Sequence, residues 1–490
     1  MSPEFKGKSH RISAPRRPTT MKHLTSHPPK NPSRAPRVRD FRVALVHLGC
    51  ARNLIDSETI LGRLGAEGYT LTQAVEDADV AVLNTCSFIG PARQESEKAI
   101  EDLLEHKRSG ALQRVVVVGC LVEKFREQVE RKYPEVDALL ALSDYSNVAR
   151  VVEEVLKGRK VKSGVGGRRF EGQREGPRLL QTPRSYAYLR PSHGCDHSCA
   201  FCIIPAIRGR QRSKPLESVV REAEEIVAQG VREIVLVAED TTGYGTDFGT
   251  DGTRLPELVE ALAAVQGLDW LRLMYAYPNA FPWRLTRSMR DRPNVVPYLD
   301  LPIQHISSRV LRRMRRGGTR QSVLAIIDRL REEVPGITLR TTLLVGHPGE
   351  GPEEFAELLE FLHEYRIQRV GAFAFSAETG TPSGADPDRC SAEEAESRLA
   401  AVMTLQQDIY QDLQQQRVGT VERVLVDGHE GEEALARSSS DAPEVDGMIR
   451  IADPRGRLRT GEFVDVRVQE LASLDLRAEV LSISSANAGS

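Results

Sequence analysis

Cys195, Cys199 and Cys202 stand in the run HGCDHSCAFCIIPAIRGR, so a C-x₃-C-x₂-C spacing puts three thiols on one short loop. Three soft sulfurs can hold three irons of a cubane cluster and leave the fourth iron open to a substrate. A 4Fe–4S cluster usually takes four cysteines, so a missing ligand points to chemistry rather than electron storage. The alternative is a tetrahedral zinc site with His193 or His197 as fourth ligand, although zinc more often uses paired C-x₂-C motifs. Gly194 before the first cysteine and Phe201 before the last suit a loop wrapped around a bulky group.

A second set of cysteines is dispersed. FRVALVHLGC (41–50), ADVAVLNTC (78–86) and QRVVVVGC (113–120) each read as a short, nearly continuous apolar strand, and each ends in a cysteine: Cys50, Cys86 and Cys120. Ligands of open α/β sheets gather outside the carboxyl ends of the strands. Three thiols far apart in sequence therefore converge into a second three-thiolate iron–sulfur site, the alternative being three buried structural cysteines. Cys390, in DPDRCSAEEAE, is left over and reads as a helix-start residue without chemistry.

The elements that must position these groups follow from the pattern along the chain. A length of 490 residues implies two to four domains, and a net charge of −2 excludes a polyelectrolyte built to coat nucleic acid. No run of eighteen apolar residues exists, so no membrane span is expected. Cysteines used sparingly and in clusters suit metal binding in a reducing cytosol, which places the chain in the cytoplasm. Residues 1–40 carry ten Lys/Arg against two acidic residues, are rich in Pro and Ser, and read as a disordered basic tail; they superficially resemble a transit peptide, and Met21 could be the true initiator. Residues 41–158 form an open parallel α/β domain, and the basic, Gly-rich residues 159–182 a linker. Regular βα repetition over 183–412 predicts a barrel or partial barrel with its chemistry at the carboxyl ends of the strands. Residues 413–485 alternate in short segments and predict a small all-β, OB-like barrel. Over 413–490 there are fourteen Asp/Glu against nine Arg and no Lys, a balance that fits a basic protein partner better than a phosphate backbone.

The 195–202 loop resembles the signature of radical S-adenosylmethionine (radical SAM) enzymes. The whole order from about residue 41 to the end resembles the methylthiotransferase family, whose members replace an unactivated C–H bond with C–S–CH₃. The resemblance implies a catalytic 4Fe–4S cluster on Cys195, Cys199 and Cys202 that binds and reductively cleaves S-adenosylmethionine. It implies a second, auxiliary 4Fe–4S cluster carrying the sulfur, held by Cys50 in LGCARNLIDSE, Cys86 in NTCSFIGPARQES and Cys120 in VGC. One S-adenosylmethionine then donates a methyl group and another supplies the radical, and the terminal barrel is a TRAM domain. LNTCSFIGPARQES, CAFCIIPAIRGRQRS, RVLRRMRRGGTR and DAPEVDGMI are similar to the branch that modifies the β-carbon of an aspartate in small-subunit ribosomal protein twelve. The sister branch acts on N6-isopentenyladenosine in tRNA. The implied partners are that ribosomal protein, free or within the small subunit, and a reductant such as flavodoxin or ferredoxin.

Two positions depart from the family pattern: His193 stands where an acidic residue is usual, and Glu239 where glutamine is usual. Asp240 and Thr241, before a Gly-rich turn, and Arg340, on a strand, are candidate S-adenosylmethionine contacts. Asp240 reads equally as a turn-starting residue and Arg340 as an inward structural arginine. Arg309, Arg312, Arg313, Arg315, Arg316 and Arg320 read as a solvated face near a helix end, with ribosomal RNA as the alternative partner. The reading from a different class is a non-catalytic metal-binding protein that binds RNA.

Overall fold

A computed structural model describes residues 41–162, 176–249 and 252–483, all within one compact unit, Val38–Ser490. The expected tail 1–40 and residues 163–175 of the expected linker lie outside the described residues.

The first sheet holds β1 (Arg42–His47), β2 (Thr70–Thr72), β3 (Val80–Thr85), β4 (Arg114–Gly119), β5 (Ala138–Leu140) and β6 (Val161–Lys162). All pairings are parallel, in the order β2-β1-β3-β4-β5-β6. β3 and β4 are its apolar centre, buried throughout except for Arg114, as strands covered by helices on both faces must be. The three strands read from sequence are β1, β3 and β4; β2, β5 and β6 extend the edges.

The second sheet begins with β7 (Tyr186–Leu189). A short antiparallel pair, β8 (Ser192–His193) and β9 (Arg212–Ser213), then clasps the two ends of the cysteine loop. β10 (Glu233–Leu236), β11 (Trp270–Leu273), β12 (Val295–Asp300), β13 (Thr338–Val345) and β14 (Arg369–Ala374) complete it. The order β14-β13-β12-β11-β10-β7 is parallel throughout and open at β7 and β14, so this is a partial barrel. Side chains alternate between its faces. Ala187, Leu189, Ile234, Leu236, Leu271 and Leu273 join the large core shared with the helices. Tyr186, Tyr188, Val235, Trp270, Val296 and Tyr298 face the other way, into a cluster with Ile55 of the first domain and Leu425, Ala442 and Phe463 of the last. The inner face is thus closed by its two neighbouring domains rather than by itself.

The helix Ala392–Gln415, capped by Ser391 Oγ accepting from the Glu394 amide, runs across residue 412 into the terminal barrel. There β15 (Val421–Glu430), β16 (Glu433–Ser438), β17 (Ile449–Ala452), β18 (Phe463–Ala472) and β19 (Asp475–Ile483) close in the order β15-β16-β17-β19-β18. Ion pairs buckle this barrel to the partial barrel. Glu233 receives Arg272 at 2.6 Å and Arg437 at 2.8 Å with all three side chains buried. Asp441 receives Arg369 at 2.6 Å and Arg417 at 3.1 Å, while Tyr298 Oη donates to Asp446 at 2.7 Å. Such pairs fix orientation more than they stabilise.

The charge tally of the terminal segment therefore overstates the acidity of its outer face. Asp427, Asp441 and Asp446 are spent on internal arginines, Asp453 caps the amides of Arg457 and Leu458, and Arg455, Arg457 and Arg459 are exposed on one loop. At the other junction, Arg178 pairs with Glu58 and Glu222, each at 2.5 Å, and donates to Tyr188 O, tying the end of the expected linker to both α/β domains. Gly62 is needed beneath it, because any Cβ there would overlap the Pro177 carbonyl.

Candidate active site: two cysteine triads joined by buried arginines

β1, β3 and β4 are neighbours, and each delivers its cysteine at its carboxyl end. Cys50 caps the helix Ala51–Ala66 with its carbonyl, which accepts from Asn53 and Leu54; Cys86 follows β3, locked by reciprocal hydrogen bonds with Ser96; Cys120 opens the helix Cys120–Lys132. Gly49 and Gly119, just before two of them, hold φ of +102° and +103°. A Cβ on Gly49 would stand 2.9 Å from Cys86 Cβ and 3.1 Å from Cys86 Sγ, so the first two cysteines meet. All three thiols interact electrostatically. Burial, followed by the neighbouring Cys50, raises Cys86; burial pushes Cys120 up to about 12. Burial also works to raise Cys50, but the Arg52 and Arg208 guanidiniums prevail and hold it below the ordinary thiol value.

The second triad sits on the 195–202 loop. Gly194, at φ +73°, leaves no room for a Cβ against the carbonyls of Arg210 and Gly209. Cys195 N donates to Gly209 O, Ala200 N to Met314 O and Cys202 N to Cys199 O, so the loop is fixed by its backbone. Burial, helped by the Asp240 carboxylate and the other two thiols, raises Cys195 to about 12, and burial, helped by Cys199, raises Cys202 to about 11. Thiols held protonated in this way exchange protons for metal on binding. Arg316 Nη1 lies 3.6 Å from Cys199 Sγ, its backbone accepts from Tyr277 Oη at 2.6 Å, and its guanidinium covers the Tyr277 ring.

A buried web joins the triads. Asp56 takes Arg190 and Arg208, each at 2.8 Å. Glu239 lies 3.6 Å from Arg208 and 4.0 Å from Arg52, and its other oxygen accepts the Gly194 amide at 3.0 Å. Glu239, one of the two residues that depart from the family pattern, is thus the carboxylate between the two cysteine sites. Arg52 also stacks 4.6 Å over Tyr275, whose left-handed backbone (φ +60°) is a conformation that non-glycine residues hold only at a cost.

The other sequence candidates are placed as follows. Asp240 lies beside the loop, with Oδ2 2.7 Å from His197 Nε2 and Oδ1 accepting from Thr242 and Gly243. Thr241 Oγ1 donates to Met274 O in the interior. Arg340 pairs with Asp300 at 3.0 Å and approaches Asp446 of the barrel, as an inward structural arginine would. Of the arginine run, Arg309, Arg313 and Arg320 pair with acidic residues and Arg316 reaches Cys199, while Arg312 and Arg315 are exposed. Arg52, Asp56, Arg190 and Arg208 were not singled out in the sequence. Arg52 and Asp56 lie on the helix that starts at Cys50, and Arg208 ends the motif CAFCIIPAIR, so proximity to the cysteines was the available signal.

Both triads fit an iron–sulfur group. Each gathers three soft thiols, and each has a buried guanidinium nitrogen, Arg208 Nη1 and Arg316 Nε, without a hydrogen-bond partner among the described residues. No three His, Cys, Asp or Glu side chains among the described residues lie close enough to grip one ion. A single zinc would need its sulfurs about 2.3 Å away, whereas a four-iron cluster spreads them wider. His197, stacked 3.6 Å from Tyr277 and bonded to Asp240, is committed elsewhere.

Three family models match stretches of the chain. Residues 189–362 match the radical SAM superfamily, 42–141 the uncharacterized protein family UPF0004, and 418–481 the TRAM domain. The fold resembles that of a radical S-adenosylmethionine methyltransferase, TsrM, from Kitasatospora setae (TM-score 0.52, 16% identity, 70% of this chain and 77% of that one). The chain is a radical SAM enzyme with a TRAM domain. Curated proteins named ribosomal protein uS12 methylthiotransferase RimO are similar along nearly their whole length. That of Desulforamulus reducens is 39% identical over 89% of this chain and 99% of its own, and that of Anaeromyxobacter sp. (strain K) 42% identical over 90% and 93%. This chain belongs to the RimO methylthiotransferase family.

Proposed function

We propose that this methylthiotransferase inserts a methylthio group at the β-carbon of an aspartate in ribosomal protein uS12. Two thiol triads brought together through Arg208 and Glu239 carry the reading, since the chemistry needs a radical source and a sulfur store beside one substrate. When bound, a 4Fe–4S cluster on Cys195, Cys199 and Cys202 supplies the electron that cleaves S-adenosylmethionine, and one on Cys50, Cys86 and Cys120 carries the sulfur. The protein's part is to hold the groups still. Arg316 braces Cys199, and Asp240 holds the His197 ring against Tyr277 beside the loop. Thr241 pins the turn to the end of β11 through Met274 O, and Arg340 adds an approach to Asp446, at 3.9 Å, to the junction with the terminal barrel.

The name borne by the relatives supports uS12 as substrate, and the likeness of DAPEVDGMI to that branch supports it further. A small electron carrier of the flavodoxin or ferredoxin class is the reductant, in the cytoplasm; no helix among the described residues is long and apolar enough to cross a membrane. The test incubates reconstituted enzyme with S-adenosylmethionine, a sulfide source, reductant and purified uS12. One aspartate of uS12 gaining a methylthio group is the expected result. Formation of 5′-deoxyadenosine with no change in uS12 would remove the substrate assignment and leave the enzyme class standing.

A further inference from the structure

The short helix Ile204–Arg208 starts two residues after Cys202 and carries its last side chain across to the other triad. Arg208 Nη2 is 2.8 Å from Asp56 Oδ2 and 3.6 Å from Cys120 Sγ, and Nε is 3.6 Å from Glu239 Oε1. Glu239 in turn accepts the amide of Gly194, the residue before Cys195. One guanidinium therefore touches a thiol of the dispersed triad and is tied to the loop of the other triad at both of that loop's ends. Its surroundings are mostly buried, with Arg52, Arg190 and Arg208 facing Asp56 and Glu239.

We propose that Arg208 is a positioning residue that raises the reduction potential of the cluster held by Cys50, Cys86 and Cys120 while keeping the two triads in register. This rests on the reading that the dispersed triad holds such a cluster. Reduction adds negative charge to a cluster, and a cationic donor on a ligand sulfur stabilises the more negative state. The effect is large where water cannot screen it, and Arg208 is 5% exposed. Asp56 opposes it, because its carboxylate offsets part of the Arg208 charge at 2.8 Å. Removing the arginine and removing the aspartate must therefore shift the potential in opposite directions. A merely structural role has no such sign.

The experiment uses full-length, reconstituted Cys199→Ala protein, in which the dispersed triad of Cys50, Cys86 and Cys120 alone retains three thiols, and follows a redox titration by electron paramagnetic resonance. Adding Arg208→Gln should lower the ratio of reduced to oxidised cluster at a fixed potential at least tenfold, a midpoint about 59 mV more negative for one electron. Arg208→Lys should recover most of that loss, and Asp56→Asn should move the midpoint to more positive values. If Arg208→Gln takes up no iron, the sign of the Asp56→Asn shift decides. An unchanged midpoint in both variants, or an Asp56→Asn shift to more negative values, overturns the proposal. A parent protein with no cluster signal would overturn the cluster reading itself, and this inference with it.

Discussion

Gly119→Ala tests how strictly the backbone aims a cysteine. Gly119 ends β4 with φ +103° and ψ −163°, a region nearly closed to other residues, and an added Cβ would stand 2.5 Å from Asn84 Oδ1, 2.6 Å from Thr85 O and 2.8 Å from Thr85 N. The backbone strain is worth about 1–3 kcal/mol, and crowding against main-chain atoms adds about 1–3 kcal/mol. Together these remove a large part of the ~5–15 kcal/mol that holds a domain. Relief comes by moving the 119–120 peptide, which turns Cys120 away from Cys50 and Cys86. The control is Gly110→Ala, also at positive φ (+81°) but with nothing within 4 Å of an added Cβ, so it carries the backbone strain alone. Iron analysis and thermal unfolding of the three reconstituted proteins should give about eight irons per chain for the parent and for Gly110→Ala, and about four for Gly119→Ala. The melting temperature should fall furthest for Gly119→Ala. If Gly119→Ala keeps full iron and melts with Gly110→Ala, the packing argument is wrong.

Cys199→Ala should abolish cleavage of S-adenosylmethionine to 5′-deoxyadenosine, whereas Cys86→Ala should keep cleavage and lose methylthiolated product; chromatography of both products from each variant separates the roles. Asp441→Asn should weaken the barrel junction by about 3–5 kcal/mol near neutral pH. Burial acts to raise Asp441, but Arg417 and Arg369 win and hold it well below the usual carboxylate range. Its stabilisation is therefore present above an unfolded pKa of about 3.9 and lost as pH falls below it, so parent and variant should converge in acid denaturation profiles. Deleting residues 413–490 would strip Glu233, Arg272 and Arg369 of buried partners, so such a truncation should aggregate or lose its iron rather than lose substrate binding alone, as iron content and light scattering would reveal.

The two sets of cysteines were legible because each leaves a pattern in the sequence. A loop motif needs only spacing, and three buried strands ending in cysteine need only the rule that strand ends of a parallel sheet converge. β7 was missed because YAYL is four residues long and runs directly into the cysteine loop, leaving no turn signal between them. The short edge strands β2, β5 and β6 carry too few residues for a period to register. Charge misled most. The barrel's aspartates count as surface in a sequence, but Asp441 and Asp446 point into the partial barrel, where Arg369, Arg340 and Tyr298 await them. Arg316 was hidden among five other arginines, and nothing in the spacing marks the one that turns inward. The bridge of Arg208 to Asp56 joins residues 152 positions apart, which no local pattern reports.

Mass spectrometry of the ribosomal proteins from cells lacking this gene, beside cells that carry it, tests the substrate most directly. The expected result is one methylthio group on one aspartate of uS12, present with the gene, absent without it, and restored by the parent sequence but not by Cys86→Ala. Unchanged uS12 together with loss of the methylthio group from isopentenyladenosine in tRNA would contradict the assignment and move the enzyme to the sister branch.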